Sequence, residues 1–103
     1  MKQVKITVLR KPFFEDLADE YLADGRAAGP CAYFGEGDEF LYEDDAVMPE
    51  GFCPWAWHDI YAQVLSLAAE AQNFWYKPGV KVLCCTDGIR PVIFSLKATD
   101  EIE

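Results

Sequence analysis

This chain is poor in basic residues and has no long apolar run, and each shortage excludes a class of function. Its 18 acidic residues outnumber 9 basic ones, so the net charge is −9. That balance argues against nucleic acid and anionic membrane as partners, because phosphate binding depends on Lys and Arg. The sequence contains no run of about 18 apolar residues, the length needed to span a membrane. The N-terminus lacks the continuous apolar block of a signal peptide. We therefore expect a cytoplasmic protein.

Common motifs of enzymes and of structural metal sites are also absent from the sequence. There is no glycine-rich phosphate loop after a strand, no H-E-x-x-H and no nucleophile elbow. There is no C-x₂-C pair. The sequence has a single histidine, whereas structural zinc sites often use two. These absences leave it open whether the protein is an enzyme.

The few bases are grouped at the two ends of the chain. Between Pro12 and Tyr76 the only base is Arg26, among 14 acids. If the two ends pair as strands, the sheet is locally basic while the helices and loops are acidic. The acidic surface is either a solvated face that keeps the protein soluble or the surroundings of an anion site beside Arg90.

Length and patterning predict a single α+β domain over residues 1–103. An apolar fraction of 51% is enough for a core without disulfides. Residues 2–9 and 38–43 alternate as half-buried strands do, whereas 14–23 and 54–72 have helical spacing. We expect a small, mainly antiparallel sheet that ends in a C-terminal β-hairpin, with one long and one short helix packed on it.

The segment CCTDGIRPVIF at 84–94 predicts the hairpin around which the rest is organised. Asp87-Gly88 is a strong turn signal because both residues tolerate positive φ, and this turn places Cys85 opposite Arg90. Pro91 has no N–H for a ladder, so either the loop widens to 86–89 or this strand lies at an edge. The face expected to be core carries Val80, Val82, Cys84, Pro91 and Ile93. The opposite face carries Lys81, Leu83, Cys85, Arg90, Val92 and Phe94.

Cys53 is the first candidate for a reactive thiol. It precedes Pro54, a residue suited to the first helical position, so it is the predicted N-cap of the long helix. The free N–H groups and the dipole there would stabilise its thiolate. The alternative is a small apolar residue beneath Trp57. His58 flanks the apolar stripe of the same helix and is either a partly buried packing residue or a base or ligand.

The other cysteines give a second set of candidates. In the cytoplasm thiols stay reduced, so they are buried thiols, metal ligands or reactive groups. Arg90 would favour the charged form of Cys85, whereas Cys84, its neighbour on a strand, would point to the opposite face. A zinc or iron site built from Cys31, Cys53 and one of the hairpin pair, with His58, is the metal hypothesis.

Aromatic residues bracket both ends of the long helix, and most of them should be core. A minority could line a pocket or an interface. The candidates for an anion site or pocket are Arg90, Trp55 and Trp57, and the cluster Phe74-Trp75-Tyr76 precedes the hairpin.

Three segments together resemble a family of small bacterial and archaeal proteins of unknown function. They are GPCAYFGEGDEF at 29–40, GFCPWAWHDI at 51–60 and CCTDGIRPVIF at 84–94. The resemblance covers nearly the whole chain and implies no activity. It directs attention to Cys31, Cys53, Cys84, Cys85, Asp87, Gly88, Arg90 and Pro91.

Three functions follow as hypotheses. The first is a small cytoplasmic binding protein whose thiols near Cys53 and Cys85 hold a metal or sense the redox state. The second is a protein-interaction or small-ligand-binding module, expected to be a homo-oligomer, in which the cysteines only pack. The third is an enzyme with Cys53 as nucleophile, although no base is visibly paired with it.

Overall fold

One antiparallel sheet of four strands carries the fold, as the sequence predicted. The computed structural model describes residues 2–43, 45–71 and 74–102. In chain order the elements are β1 (Lys2–Arg10), α1 (Glu15–Tyr21), a 3-10 helix η1 (Gly25–Ala28), β2 (Glu39–Tyr42), α2 (Pro54–Ala68), β3 (Val80–Cys84) and β4 (Ile93–Ile102). The strand order β2-β1-β4-β3 places the first and last strands side by side in the centre. The α+β class is confirmed.

The alternation of β1 separates the two faces of the sheet. Val4, Ile6 and Val8 are almost fully buried, whereas Lys5 between them is exposed. Lys5 lies opposite Lys97 of β4 in the pairing register, and its ammonium forms a 3.2 Å ion pair with Glu39 of β2. The face that carries Lys5 is therefore basic at its centre, as the grouping of bases predicted.

Helix α2 covers the other face of the sheet. It begins at Pro54 with Cys53 as N-cap, as predicted. Its buried stripe consists of Ala56, Ile60, Val64, Leu67 and Ala68. The helix ends earlier than predicted, because Glu70 adopts a positive φ of 59° that a right-handed helix does not use. The predicted end, Gln72, lies outside the described residues.

Aromatic rings fill one end of the core between α2 and the sheet. Phe52, just before α2, is 1% exposed. Its ring centroid lies 5.0 Å from that of Phe40, 5.1 Å from that of Phe34 and 5.4 Å from that of Phe94. Tilted and edge-on pairs at these separations add to the burial energy. This cluster anchors the loops around α2 to the central strands.

The hairpin forms with a widened connection, one of the two predicted alternatives, but the predicted register is wrong. Leu83 pairs with Phe94 and Cys84 with Ile93, so the connection is longer than a turn centred on Asp87-Gly88. Gly88 is not among the residues with positive φ. Pro91 has no N–H for the ladder. Because the connection is widened, Pro91 lies within it, and β4 pairs on both of its edges only after this proline.

The predicted faces of the hairpin are also inverted. Val82 is 43% exposed and Phe94 is fully buried, so the face expected to be core is the uncovered one. The sequence pattern does not distinguish the two faces, because both carry enough apolar residues to be predicted as core. Lys81 lies on the helix side, where its ammonium donates to Gln63 of α2; a lysine there can lay its alkyl chain along apolar surface.

Helix α1 packs mainly against η1 rather than against the sheet. Ala18 is the buried residue of this helix, whereas Tyr21 is 73% exposed. Arg26 of η1 donates to Asp19 from its backbone N–H, its Nε and its Nη2, at 2.9, 2.9 and 2.7 Å. The hydrogen bonds from Arg26 lower the pKa of Asp19. Within the described residues, no helix has the length and apolar character needed to cross a membrane.

Candidate functional site

The four cysteines occupy different places in the fold. Cys84 is exposed at the end of β3, whereas Cys31, Cys53 and Cys85 are partly buried and pack against the core. The Sγ atom of Cys85 lies 3.4 Å from the backbone nitrogen of Val92, which donates to it. Cys84 and Cys85 therefore have different surroundings, in keeping with the expectation that neighbours on a strand face opposite ways.

The thiols do not gather into a metal site in the part of the chain that the structure describes. No three His, Cys, Asp or Glu side chains there lie close enough together to hold a metal ion. His58, expected to be partly buried, is exposed on α2. The ligand set proposed for zinc or iron, with Cys31 and Cys53 as members, does not fit the observed arrangement.

Arg90, the candidate anion-binding residue, is engaged by a neighbour. Its Nε lies 3.4 Å from Oδ2 of Asp87, while Oδ1 of Asp87 accepts from the backbone N–H groups of Ile89 and Arg90 at 3.0 and 3.1 Å. Partial burial raises the pKa of Asp87, but these hydrogen bonds together outweigh it and the pKa is lowered. Cys85 lies opposite Val92, so Arg90 does not face it as predicted.

Trp55 and Trp57, the other candidate pocket residues, have separate roles. The indole Nε1 of Trp55 donates to Oγ1 of Thr86 at 3.0 Å, and the backbone N–H of Thr86 donates to Asp59 at 2.9 Å. These bonds tie the first turns of α2 to the hairpin connection. Trp57 instead packs between Tyr42 and neighbouring rings of the core. None of these three candidates lines the groove described next, and a pocket shared by Arg90, Trp55 and Trp57 stays a prediction.

A groove lies at the opposite end of α2, along the edge of β3. Its volume is about 400 Å³, and its lining comes from α2, β3 and the residues just before β3: Gln63, Ser66, Phe74, Trp75, Tyr76, Lys81 and Leu83. A volume of this size is in the range of small-ligand pockets, about 300–1,000 Å³. We call this feature the aromatic groove.

The aromatic groove has few polar side-chain groups among its lining residues. The ammonium of Lys81 donates to Oε1 of Gln63, which joins β3 to α2. The hydroxyl of Tyr76 donates to the backbone carbonyl of Val82 at 2.9 Å. One cation and a serine hydroxyl among apolar rings suit a ligand that is mainly apolar and carries one negative group.

The wall of the aromatic groove is formed by rings that the core does not use. Phe74 is 79% exposed and Trp75 is 83% exposed, and the ring centroids of Trp75 and Tyr76 lie 6.2 Å apart. Large aromatic side chains are normally among the most buried in a protein. Two adjacent aromatic rings exposed to solvent form an apolar patch, and such a patch is typical of an interaction site.

Comparison with known proteins does not add a relative. No family model, curated protein or solved structure matches this chain. The resemblance to a family of small bacterial and archaeal proteins therefore stays a prediction.

The sequence contained part of the signal for this groove. The sequence predicts that most of the aromatic residues at the ends of α2 are core and that a minority line a pocket or an interface, but Phe74 and Trp75 are largely exposed. Lys81 shares a face with Leu83, as predicted, but the sequence predicts that the opposite face is core. Finding the groove from sequence required knowing which face of β3 meets α2.

Proposed function

We propose that this protein is a binding module and that the aromatic groove is its binding site. The ligand it suits presents an apolar group to Phe74 and Trp75 and a negatively charged group to Lys81. The observation that carries the proposal is the exposure of about four fifths of both rings in the wall of a groove of about 400 Å³.

The free energy for binding comes from covering these rings. Removing apolar surface from water contributes roughly 25 cal/mol per Å², so a ligand that covers most of one indole gains about 2 kcal/mol from that contact alone. The ammonium of Lys81 is already held by Gln63, so less conformational freedom is lost when it pairs with an anion.

This proposal favours the second of the three hypotheses from the sequence. The cysteines contribute no side chain to the lining of the groove, and three of them pack against the core. A thiol-based function would need a separate site. Cys84 is the exposed cysteine and would be the accessible thiol of such a site.

A fluorescence titration with 1-anilinonaphthalene-8-sulfonate tests the proposal, because this probe combines fused aromatic rings with a sulfonate anion. We expect saturable binding to the native chain and a loss of about tenfold or more in affinity for Trp75→Ala, in proportion to the ring surface removed. Lys81→Gln should weaken binding by about threefold, as expected for a partly solvated ion pair.

The matched control is Trp55→Ala. Trp55 is 70% exposed and lies at the other end of α2, so its removal deletes the same side chain far from the groove. Equal losses for Trp55→Ala and Trp75→Ala would show that the probe only senses exposed indoles and would overturn the proposal.

A further inference from the structure

Among the residues that the structure describes, the strand beside the aromatic groove has one edge without a neighbouring strand. Strand β3 is the last strand of the sheet, with β4 as its partner on one side. The N–H of Cys85 donates to Val92, and the N–H of Ala98 donates to Gly79. Since hydrogen-bonded pairs alternate along an antiparallel ladder, the odd-numbered residues of β3 face β4, and Val82 and Cys84 direct their N–H and C=O groups outward.

Two contacts agree with this assignment. The carbonyl of Val82 accepts from the side chain of Tyr76, which approaches from outside the sheet. The N–H of Val80 donates to the carbonyl of Lys77, also outside β3. The outward row of backbone groups therefore begins under the segment that forms the wall of the groove and continues along β3 to Cys84.

We infer that the partner of this module is an extended segment of another protein, which adds to the sheet as a fifth strand along β3. This inference rests on the proposed function and specifies its ligand. Backbone groups of the segment would bond to the outward N–H and C=O groups of Val82 and Cys84. Every second side chain of the segment would then enter the aromatic groove, because side chains alternate across a strand.

The placement of the groove supports a strand rather than a compact ligand. Lys81 and Leu83 line the groove from β3 and have their side chains on the α2 side of the sheet. A strand next to β3 has side chains at the same level on the same side. An apolar residue of the segment would therefore meet Leu83 and Trp75, and an acidic residue two positions away would reach Lys81.

Tyr76 acts as a cover for this edge in the free protein. Its hydroxyl occupies the carbonyl of Val82, an acceptor that the incoming strand would use. Unpaired edges promote unwanted association, so a side chain that protects one acceptor is useful until a partner arrives. Tyr76→Phe removes the competing hydrogen bond and keeps the ring, so it should raise affinity for a strand by about fivefold.

The test begins with selection of linear 12-residue peptides from a display library on the full chain. For a selected peptide, we expect amide hydrogen exchange of Val82 and Cys84 to slow by at least tenfold in the complex. Leu83 faces β4 and serves as the internal control. N-methylation of alternate peptide nitrogens should abolish binding, whereas methylation of the intervening ones should be tolerated.

Val82→Pro separates the two proposals. Proline at an edge position removes an outward N–H and leaves the bonds to β4 in place, so it should abolish peptide binding and retain binding of 1-anilinonaphthalene-8-sulfonate. If that variant does not fold, the N-methylation series on the native chain decides. Peptides that bind without slowing exchange at Val82 and Cys84, or a library with no binder, would overturn strand addition. The dye titration would still test whether the aromatic groove is a binding site.

Discussion

At the scale of single residues, exposure separates side chains that the sequence could not tell apart. Trp57 is partly buried against the core, Trp55 is hydrogen-bonded to Thr86 at the surface, and Trp75 forms a groove wall. The cysteines divide in the same way. Their reactivity should follow their access to solvent, since a buried thiol reacts slowly.

Cys84 should therefore be the fastest thiol in the native protein. We expect Ellman's reagent to modify one cysteine rapidly and the other three slowly, and Cys84→Ser to remove the rapid phase. A titration of native and denatured protein checks this. Rapid modification of Cys53 in the Cys84→Ser variant would contradict this prediction. It would instead support the hypothesis that the N-terminus of α2 activates the thiol of Cys53.

At the scale of elements, the hairpin connection is the segment whose geometry departs furthest from expectation. Its conformation is set by side chain to backbone bonds from Asp87 and by the contact of Thr86 with Asp59. Such local bonds compete with the regular two-residue turn. Helix α1 is also tied to this connection, because the N–H of Phe14 donates to the carbonyl of Ile89 at 3.0 Å.

The hairpin connection should loosen in acid. The pKa of Asp87 is lowered in the fold, so the native state binds the proton less tightly than the unfolded chain. The stabilisation is present above the unfolded pKa of about 3.9 and is lost as pH falls through the lower folded value. Amide NMR shifts of Ile89 and Arg90 should follow this titration.

The control for the acid transition is Asp87→Asn. The amide oxygen can still accept from both backbone N–H groups, but it does not titrate in this range. The variant should keep the connection folded and lose the pH dependence of the two amide signals. If Asp87→Asn titrates like the native chain, another group is responsible.

At the scale of the whole molecule, α2 covers one face of the sheet, whereas no described helix packs on the other face as α2 does. The covered face holds the aromatic cluster around Phe52, while the uncovered face shows Lys5 and Lys97 among apolar side chains such as Val82 and Leu41. An edge groove and an open face are both consequences of having one long helix for four strands.

This division predicts unequal costs for deleting two phenylalanines. Phe52→Ala should destabilise the fold by about 3–5 kcal/mol because it leaves a cavity among four rings. Phe74→Ala should cost less than about 0.5 kcal/mol, since that ring is largely in solvent. Urea denaturation of the two variants measures both values. A large loss for Phe74→Ala would mean that the groove wall is part of the core.

The sequence by itself determined the element types, the start of α2 at Pro54 and the buried row of β1. These follow from periodicity and from the chemistry of single positions, which act over a few residues. It also supplied the aromatic run that forms the wall of the groove. The predicted resemblance to a family of small proteins directs attention to motif residues, none of which lines the groove.

Only the tertiary structure decided which face of the hairpin meets α2, which cysteines are accessible and where a ligand can bind. Both faces of β3 contain apolar residues, so local pattern leaves the choice between them nearly balanced, and the choice is made by packing against a helix that is distant along the chain. The groove depends on that choice, because it exists where Gln63 and Ser66 of α2 meet Lys81 and Leu83 of β3.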